Sequence, residues 1–210
     1  MKKDELCTAL ISDTLIKMGC ENQMLPVGFK PNFEEAKIFG KVRTILLKEI
    51  EEKDDYKDIY KGIRFLEEMN PDEILLVANG FDNMAFFGEL MSTVAIKNKL
   101  QGAVIDGVTR DRQPTRDLKF PVFAKGTYAK DLRNKAIVEE TDGKVKIGTV
   151  SISSGDYLFG DSDGIVIIPK ELYDETMKKC SLLLETEKEV KELVKKGAGV
   201  EEISRKCGDF

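Results

Sequence analysis

Two short apolar runs on either side of one amphipathic helix constrain the fold more than any other feature of this chain. Residues 73–78 (EILLVA) and 103–106 (AVID) carry almost no polar side chains, the pattern of strands covered on both faces. Between them, from Gly88 onward, Leu90, Met91, Val94 and Ala95 fall on one helical face, and Asn98 or Gly102 closes the helix. Strand, helix and strand across residues 73–106 make a βαβ unit, whose strands pair in parallel through the helical crossover. The fold class is therefore α/β.

The rest of the chain fits around that unit. Residues 4–18 place Leu6, Ala9, Leu10, Leu15 and Ile16 at helical spacing, with Gly19 as the stop. Residues 36–47 (AKIFGKVRTILL) alternate as a strand. Residues 48–58 are a charge run, read as a solvated loop leading into a helix that ends near Glu68. Asn70-Pro71 marks a turn, and residues 120–124 (FPVFA) make another short strand. Beyond about residue 138 the chain becomes strand-rich, with turns at Asp142-Gly143, Ser154-Gly155 and residues 161–164. Helices follow at about 171–196 and 200–206, separated by Gly197 and Gly199. No repeat or low-complexity linker interrupts the 210 residues, so one domain over 1–210 is expected.

Composition removes several functions. The formal net charge is -5, which leaves no basic excess to displace counterions from a nucleic acid. No apolar run approaches a membrane span, and the N-terminus does not read as a signal peptide, so a cytoplasmic location without membrane contact is expected. Cys7, Cys20, Cys180 and Cys207 form no C-x-x-C pair and read as inert, isolated thiols. The chain has no histidine, which excludes Ser-His-Asp and Cys-His catalysis and His-ligated zinc. A metal would have to be held by oxygen ligands, which selects hard cations such as Mg²⁺ or Mn²⁺.

In α/β folds ligands gather beyond the carboxyl ends of parallel strands. The two apolar strands would bring two loops together there, one opening the helix at Gly88 and the other carrying Arg110-Asp111. Unpaired backbone N–H groups and the dipole of the helix start favour an anion, and Gly88 allows a close approach. Arg110 offers a guanidinium fork, Asp111 a hard-metal ligand, and Glu89 a second carboxylate acting directly or through water. A packing glycine beside a surface Arg110–Asp111 ion pair is the structural alternative. Asp106-Gly107 reads as the strand's end. Asp156, Asp161 and Asp163 read as turn residues, and Tyr128, Lys130 and Arg133 as part of a solvated loop near the site.

The stretch GELMSTVAIKNKLQGAVIDGVTRD resembles the core motif of the RraA-like family, which includes 4-hydroxy-4-methyl-2-oxoglutarate aldolases. In that family a Gly-Asp pair opens a helix and Arg-Asp follows the Asp after twenty residues; Glu89 to Arg110 keeps this spacing. ISDTLIKMG, PVGFKPNFEEAKIFGKVRTI, FPVFAKGTYAKD and SSGDYLFGDSDGIVIIPKE resemble further family segments in order, so the resemblance covers most of residues 5–185. It implies a swivelling β/β/α domain with a central sheet flanked by helices, and a metal-dependent lyase acting on pyruvate-yielding 2-oxo acids or oxaloacetate.

The resemblance also implies roles for individual residues. Backbone groups of Gly88, Glu89, Leu90 and Met91 would hold the substrate carboxylate. Arg110 would contact the keto oxygen or carboxylate, Asp111 would ligate Mg²⁺ or Mn²⁺, and Glu89 would move a proton through water. It implies a homotrimer or homohexamer, with an acidic residue among 185–202 of a neighbour able to complete the metal shell. Glu89 stands where aldolases of the family commonly have Asp. Family members that inhibit ribonuclease E tend to lack the Asp after Arg, so Asp111 favours the enzyme over a non-catalytic regulator of a ribonuclease or other protein partner.

Overall fold

A computed structural model describes residues 5–50 and 58–208. Most of the predicted charge run, residues 51–57, lies outside the described residues. Helix α1 (Thr8–Lys17) is followed by a two-residue strand β1 (Lys30–Pro31), a long strand β2 (Ile38–Glu49) and helix α2 (Asp58–Glu68). The βαβ unit is β3 (Ile74–Ala78), α3 (Glu89–Lys97) and β4 (Gly102–Thr109). Then come a one-and-a-half-turn helix α4 (Arg112–Asp117), β5 (Val122–Thr127), β6 (Ala136–Thr141), β7 (Lys144–Ile147), β8 (Val150–Ser153), β9 (Tyr157–Asp161) and β10 (Gly164–Ile168). Helices α5 (Tyr173–Lys195) and α6 (Val200–Cys207) close the described chain.

The main sheet runs β1-β5-β4-β3-β2-β9-β10. Strands β3 and β4 pair in parallel, as the βαβ reading requires; β2 and β5 extend the parallel set on either side, and β1 and β9 add antiparallel pairs. The length of β2 serves two partners along one edge, β9 at Ile38–Lys41 and β6 at Ile45–Glu49. Strands β7 and β8 form a separate hairpin.

All five residues of β3 are buried because both faces are covered. Leu75 and Val77 face a core with Phe65, Leu66, Phe87, Met91 and Ala95 from the α2 and α3 side. Ile74, Leu76 and Ala78 face a second core that includes Val145, Ile147, Val150 and Ile152 of the hairpin. Each of the Leu, Ile, Val, Phe and Met side chains among them contributes about 1.5–3 kcal/mol of burial free energy. A third core packs Leu10, Ile11 and Leu15 of α1 and Cys180 of α5 against Phe159, Val166 and Ile168.

Several boundaries differ from expectation. Helix α1 begins at Thr8 rather than near residue 4, and the strand expected at 120–124 is Val122–Thr127. The more consequential difference is β4, which does not stop at Asp106-Gly107 but continues to Thr109. Its pairing with β5 shifts register between Ile105 and Val108, so Asp106-Gly107 is an irregularity inside the strand. The Asp106 carboxylate pairs with Lys125 Nζ at 2.6 Å, and Lys125 in turn lies 5.4 Å from the Phe29 ring centre. A Cβ on Gly107 would fall 2.6 Å from the Phe81 backbone nitrogen, so glycine lets the β3–α3 loop cross β4 at this point.

Candidate active site

The extension of β4 builds the site. Beyond the irregularity, the Val108 N–H donates to the Phe81 carbonyl (2.8 Å) and the Arg110 N–H to the Phe87 carbonyl (3.1 Å). The β3–α3 loop is thus laced along β4 at two points, and this sets Gly88, the residue before α3, against Arg110 and Asp111. On its outer side the same loop is bridged at Ala85 to Asp131, and the Ala85 N–H donates to the Lys130 carbonyl at 2.7 Å.

Asp111 adopts a left-handed backbone conformation (φ 55°, ψ 42°), which an aspartate tolerates better than most residues. Its carboxylate reaches over Gly88, where Oδ2 accepts the Glu89 N–H at 3.1 Å and lies 3.6 Å from Arg110 Nε. A Cβ on Gly88 would sit 2.5 Å from that same oxygen and 3.0 Å from Arg110 Cγ. The glycine matters here for space and not for backbone freedom: a Cβ would displace the carboxylate, whereas its φ of -159° is open to any residue. One of the helix-start N–H groups expected to face a ligand is already used by Asp111; those of Leu90 and Met91 remain in the first turn of α3.

Arg110 is held from a second side. Its Nη1 donates to Asp131 Oδ2 at 2.8 Å, while Asp131 Oδ1 accepts the Arg133 N–H at 2.7 Å. Side-chain exposures of 33% for Arg110, 40% for Asp111 and 24% for Asp131 leave the group reachable from solvent. Glu89 is exposed, and its side chain makes no hydrogen bond or ion pair with another described residue. Leu90 is exposed and Met91 is buried in the core. Asp131 is the residue that sequence reasoning missed. Its neighbours Tyr128, Lys130 and Arg133 were assigned to a loop near the site, but nothing in the local pattern marks the carboxylate that meets Arg110.

The donor set suits a hard divalent cation. Arg110 lies between the carboxylates of Asp111 and Asp131, and Glu89 opens α3 beside Asp111. Asp111 Oδ1 carries no hydrogen bond from another described residue. Among the described residues there is no cluster of three or more His, Cys, Asp or Glu side chains placed to hold a metal. A cation bound here would therefore have one or two carboxylates as protein ligands, with water and substrate oxygens supplying the rest of its shell.

The other acidic candidates are structural. Asp161 is buried and accepts the Thr8 hydroxyl (2.6 Å), the Thr8 N–H (3.0 Å) and the Asp163 N–H (3.0 Å), so it ties α1 to the sheet as well as forming its turn. Asp156 accepts the backbone N–H groups of Ser153 and Lys170. Cys180 is buried, which pushes its thiol up and leaves it protonated, consistent with an inert role. Among the described residues no helix is long and apolar enough to cross a membrane.

A family model described as Aldolase/RraA matches residues 8–167, from α1 into β10. A 4-hydroxy-4-methyl-2-oxoglutarate aldolase of Thermus thermophilus is 25% identical over 71% of this chain and 87% of its own length. Protein DlpA of Legionella pneumophila is 26% identical over 93% of this chain, which spans only 31% of that longer protein. Among solved structures, the RNA-processing inhibitor RraA from Thermus superposes with a TM-score of 0.62 at 25% identity, covering 76% of this chain and 92% of that one.

Proposed function

This chain belongs to the RraA-like, Aldolase/RraA family, and on that premise we propose that it is a divalent-metal-dependent carbon–carbon lyase. Its substrates are a pyruvate-yielding 4-hydroxy-2-oxo acid, such as 4-hydroxy-4-methyl-2-oxoglutarate, or oxaloacetate. The observation that carries this reading is the meeting of Arg110, Asp111 and the start of α3 on one rim beyond the ends of β3 and β4. The aldolase relative supports the same chemistry.

In this reading the first-turn N–H groups of Leu90 and Met91 hold the substrate carboxylate, helped by the helix dipole. Arg110 Nη2, which has no protein partner among the described residues, faces the keto oxygen. When C–C cleavage or decarboxylation sends an electron pair toward the ketone, Arg110 stabilises the developing enolate oxygen. Asp111 would hold the divalent cation, and a bound Mg²⁺ or Mn²⁺ would supply positive charge that stabilises the developing enolate. In the aldol cleavage, the substrate's 4-hydroxyl proton leaves through a water next to Glu89, and a proton is returned to the enolate carbon to give pyruvate. No histidine and no Schiff-base lysine is required.

The same reading includes a cytoplasmic homotrimer or homohexamer, in which an acidic residue among 185–202 of a neighbour completes the metal shell. The likeness to an RNA-processing inhibitor supports a second reading, a non-catalytic regulator that binds a ribonuclease. One experiment separates them: pyruvate release from 4-hydroxy-4-methyl-2-oxoglutarate and from oxaloacetate, with Mg²⁺ or Mn²⁺ and with excess chelator. The lyase reading predicts turnover that chelator abolishes and metal restores. Absence of metal-dependent turnover on these and related 2-oxo acids contradicts it and leaves the regulator.

A further inference from the structure

Arg110 is fixed before any ligand arrives, and the residue that fixes it lies 21 positions further along the chain. Three contacts anchor the loop after β5 to the fold, and a turn bond closes it. The Tyr128 N–H donates to the Thr109 carbonyl (2.8 Å), the Ala85 N–H to the Lys130 carbonyl (2.7 Å), Leu132 is buried in the α-side core, and the Lys135 N–H donates to the Leu132 carbonyl (2.9 Å). Asp131 sits in the middle of these anchors. Its Oδ1 is held by the Arg133 N–H, which aims Oδ2 at Arg110 Nη1. With Asp111 on the Nε side, two of the three guanidinium nitrogens have protein partners, and Nη2 is the nitrogen left for a ligand.

We propose that Asp131 is a positioning residue: it orients the Arg110 guanidinium so that Nη2 faces the keto oxygen of a 2-oxo acid. A long arginine side chain has many rotamers, and holding one in advance removes that ordering cost from the binding and chemical steps. The pair aims Arg110 without blocking it, since a single 2.8 Å contact on Nη1 constrains the plane without capping the opposite edge. Asp131 itself touches neither substrate nor metal. Its effect on turnover, exerted through Arg110, rests on the lyase reading, whereas its hold on the guanidinium does not.

The test has two arms. In ¹⁵N-labelled full-length protein, the Arg110 side-chain Nε–Hε signal, assigned with Arg110→Lys, is expected to be sharp and slow to exchange. In Asp131→Ala its solvent exchange should rise by about tenfold or more, with Asp131→Asn between the two, because removing the carboxylate frees the side chain. In the kinetic arm, Asp131→Ala should lower kcat by about 10–100-fold, the cost of a misplaced catalytic group, with a much smaller change in KM. In an Arg110→Ala background the same substitution should change kcat/KM by less than about twofold, as expected of two residues acting as one unit.

An unchanged Nε–Hε signal in a folded Asp131→Ala protein overturns the proposal, as does an equal loss of activity in both backgrounds. Should Asp131→Ala fail to fold, the near-isosteric Asp131→Asn carries both arms. If the wild type releases no pyruvate with any metal, the lyase reading falls. The resonance arm then decides the proposal alone: dependence of the signal on Asp131 sustains the hold on Arg110, and independence overturns it.

Discussion

At Gly88 a single added carbon makes room for itself only by moving the site. It would collide with the Asp111 carboxylate and the Arg110 side chain together. Gly88→Ala is therefore expected to displace both groups and lower kcat/KM by at least about tenfold, as small misplacements of catalytic groups do. Its melting temperature should fall only slightly, because the carboxylate beside it can swing into solvent. Arg110→Lys keeps the charge and loses the fork. Loss of about 100-fold in kcat is expected, the scale of one oxyanion donor, and steady-state kinetics on a 2-oxo acid would check it. The proximity of Gly88 to Arg110 and Asp111 was legible in the sequence because Gly-Glu, the intervening spacing and Arg-Asp form a local pattern between two strands expected to pair. Asp131 was not, because its partner is set by where a loop lands, and no spacing rule carries that. For Asp161 the sequence showed only the turn half of its bonding; the Thr8 contact spans 153 positions.

Among elements, β2 depends on a clamp at its centre. Arg43 donates through Nε and Nη2 to the two carboxylate oxygens of Asp142, in the β6–β7 turn, and Nη1 lies 3.5 Å from Glu73. The hydrogen bond to Asp142 raises the Arg43 guanidinium above its ordinary value. Burial pushes the Asp142 carboxyl up, but the bonds from Arg43 and Ser154 outweigh it and hold the carboxyl below its ordinary range. A depressed carboxyl stabilises the fold above its unfolded-state pKa, and that contribution is lost as pH falls through the folded value. Asp142→Asn should therefore cost about 1 kcal/mol at pH 7, modest because the pair is partly exposed. Urea denaturation at pH 7 and pH 3 should show the gap between wild type and variant shrinking at the lower pH. Helix α1 depends on Asp161 in the same sense. Asp161→Ala strands the buried Thr8 hydroxyl and N–H, and a loss of about 2–3 kcal/mol is expected in the same denaturation experiment.

For the molecule as a whole, the α/β class and the parallel pairing of β3 with β4 were legible because both strands are covered on both faces and read as unbroken apolar runs. What stayed hidden is the geometry that completes the site. An irregularity at Asp106-Gly107 looks like a strand end in sequence, yet it carries β4 three residues further and delivers Arg110 to Gly88. The division of β2 between β9 and β6 was equally invisible, since pairing partners are chosen by the assembled sheet. The central claim is that Asp111, beside Arg110 and the start of α3, holds the metal on which turnover depends. It is tested most directly by the rate of pyruvate release as a function of Mn²⁺ concentration, measured side by side for wild type and Asp111→Ala. A saturable metal dependence in the wild type and its disappearance in a folded Asp111→Ala protein are predicted; the same metal-dependent rate in both proteins would contradict the account.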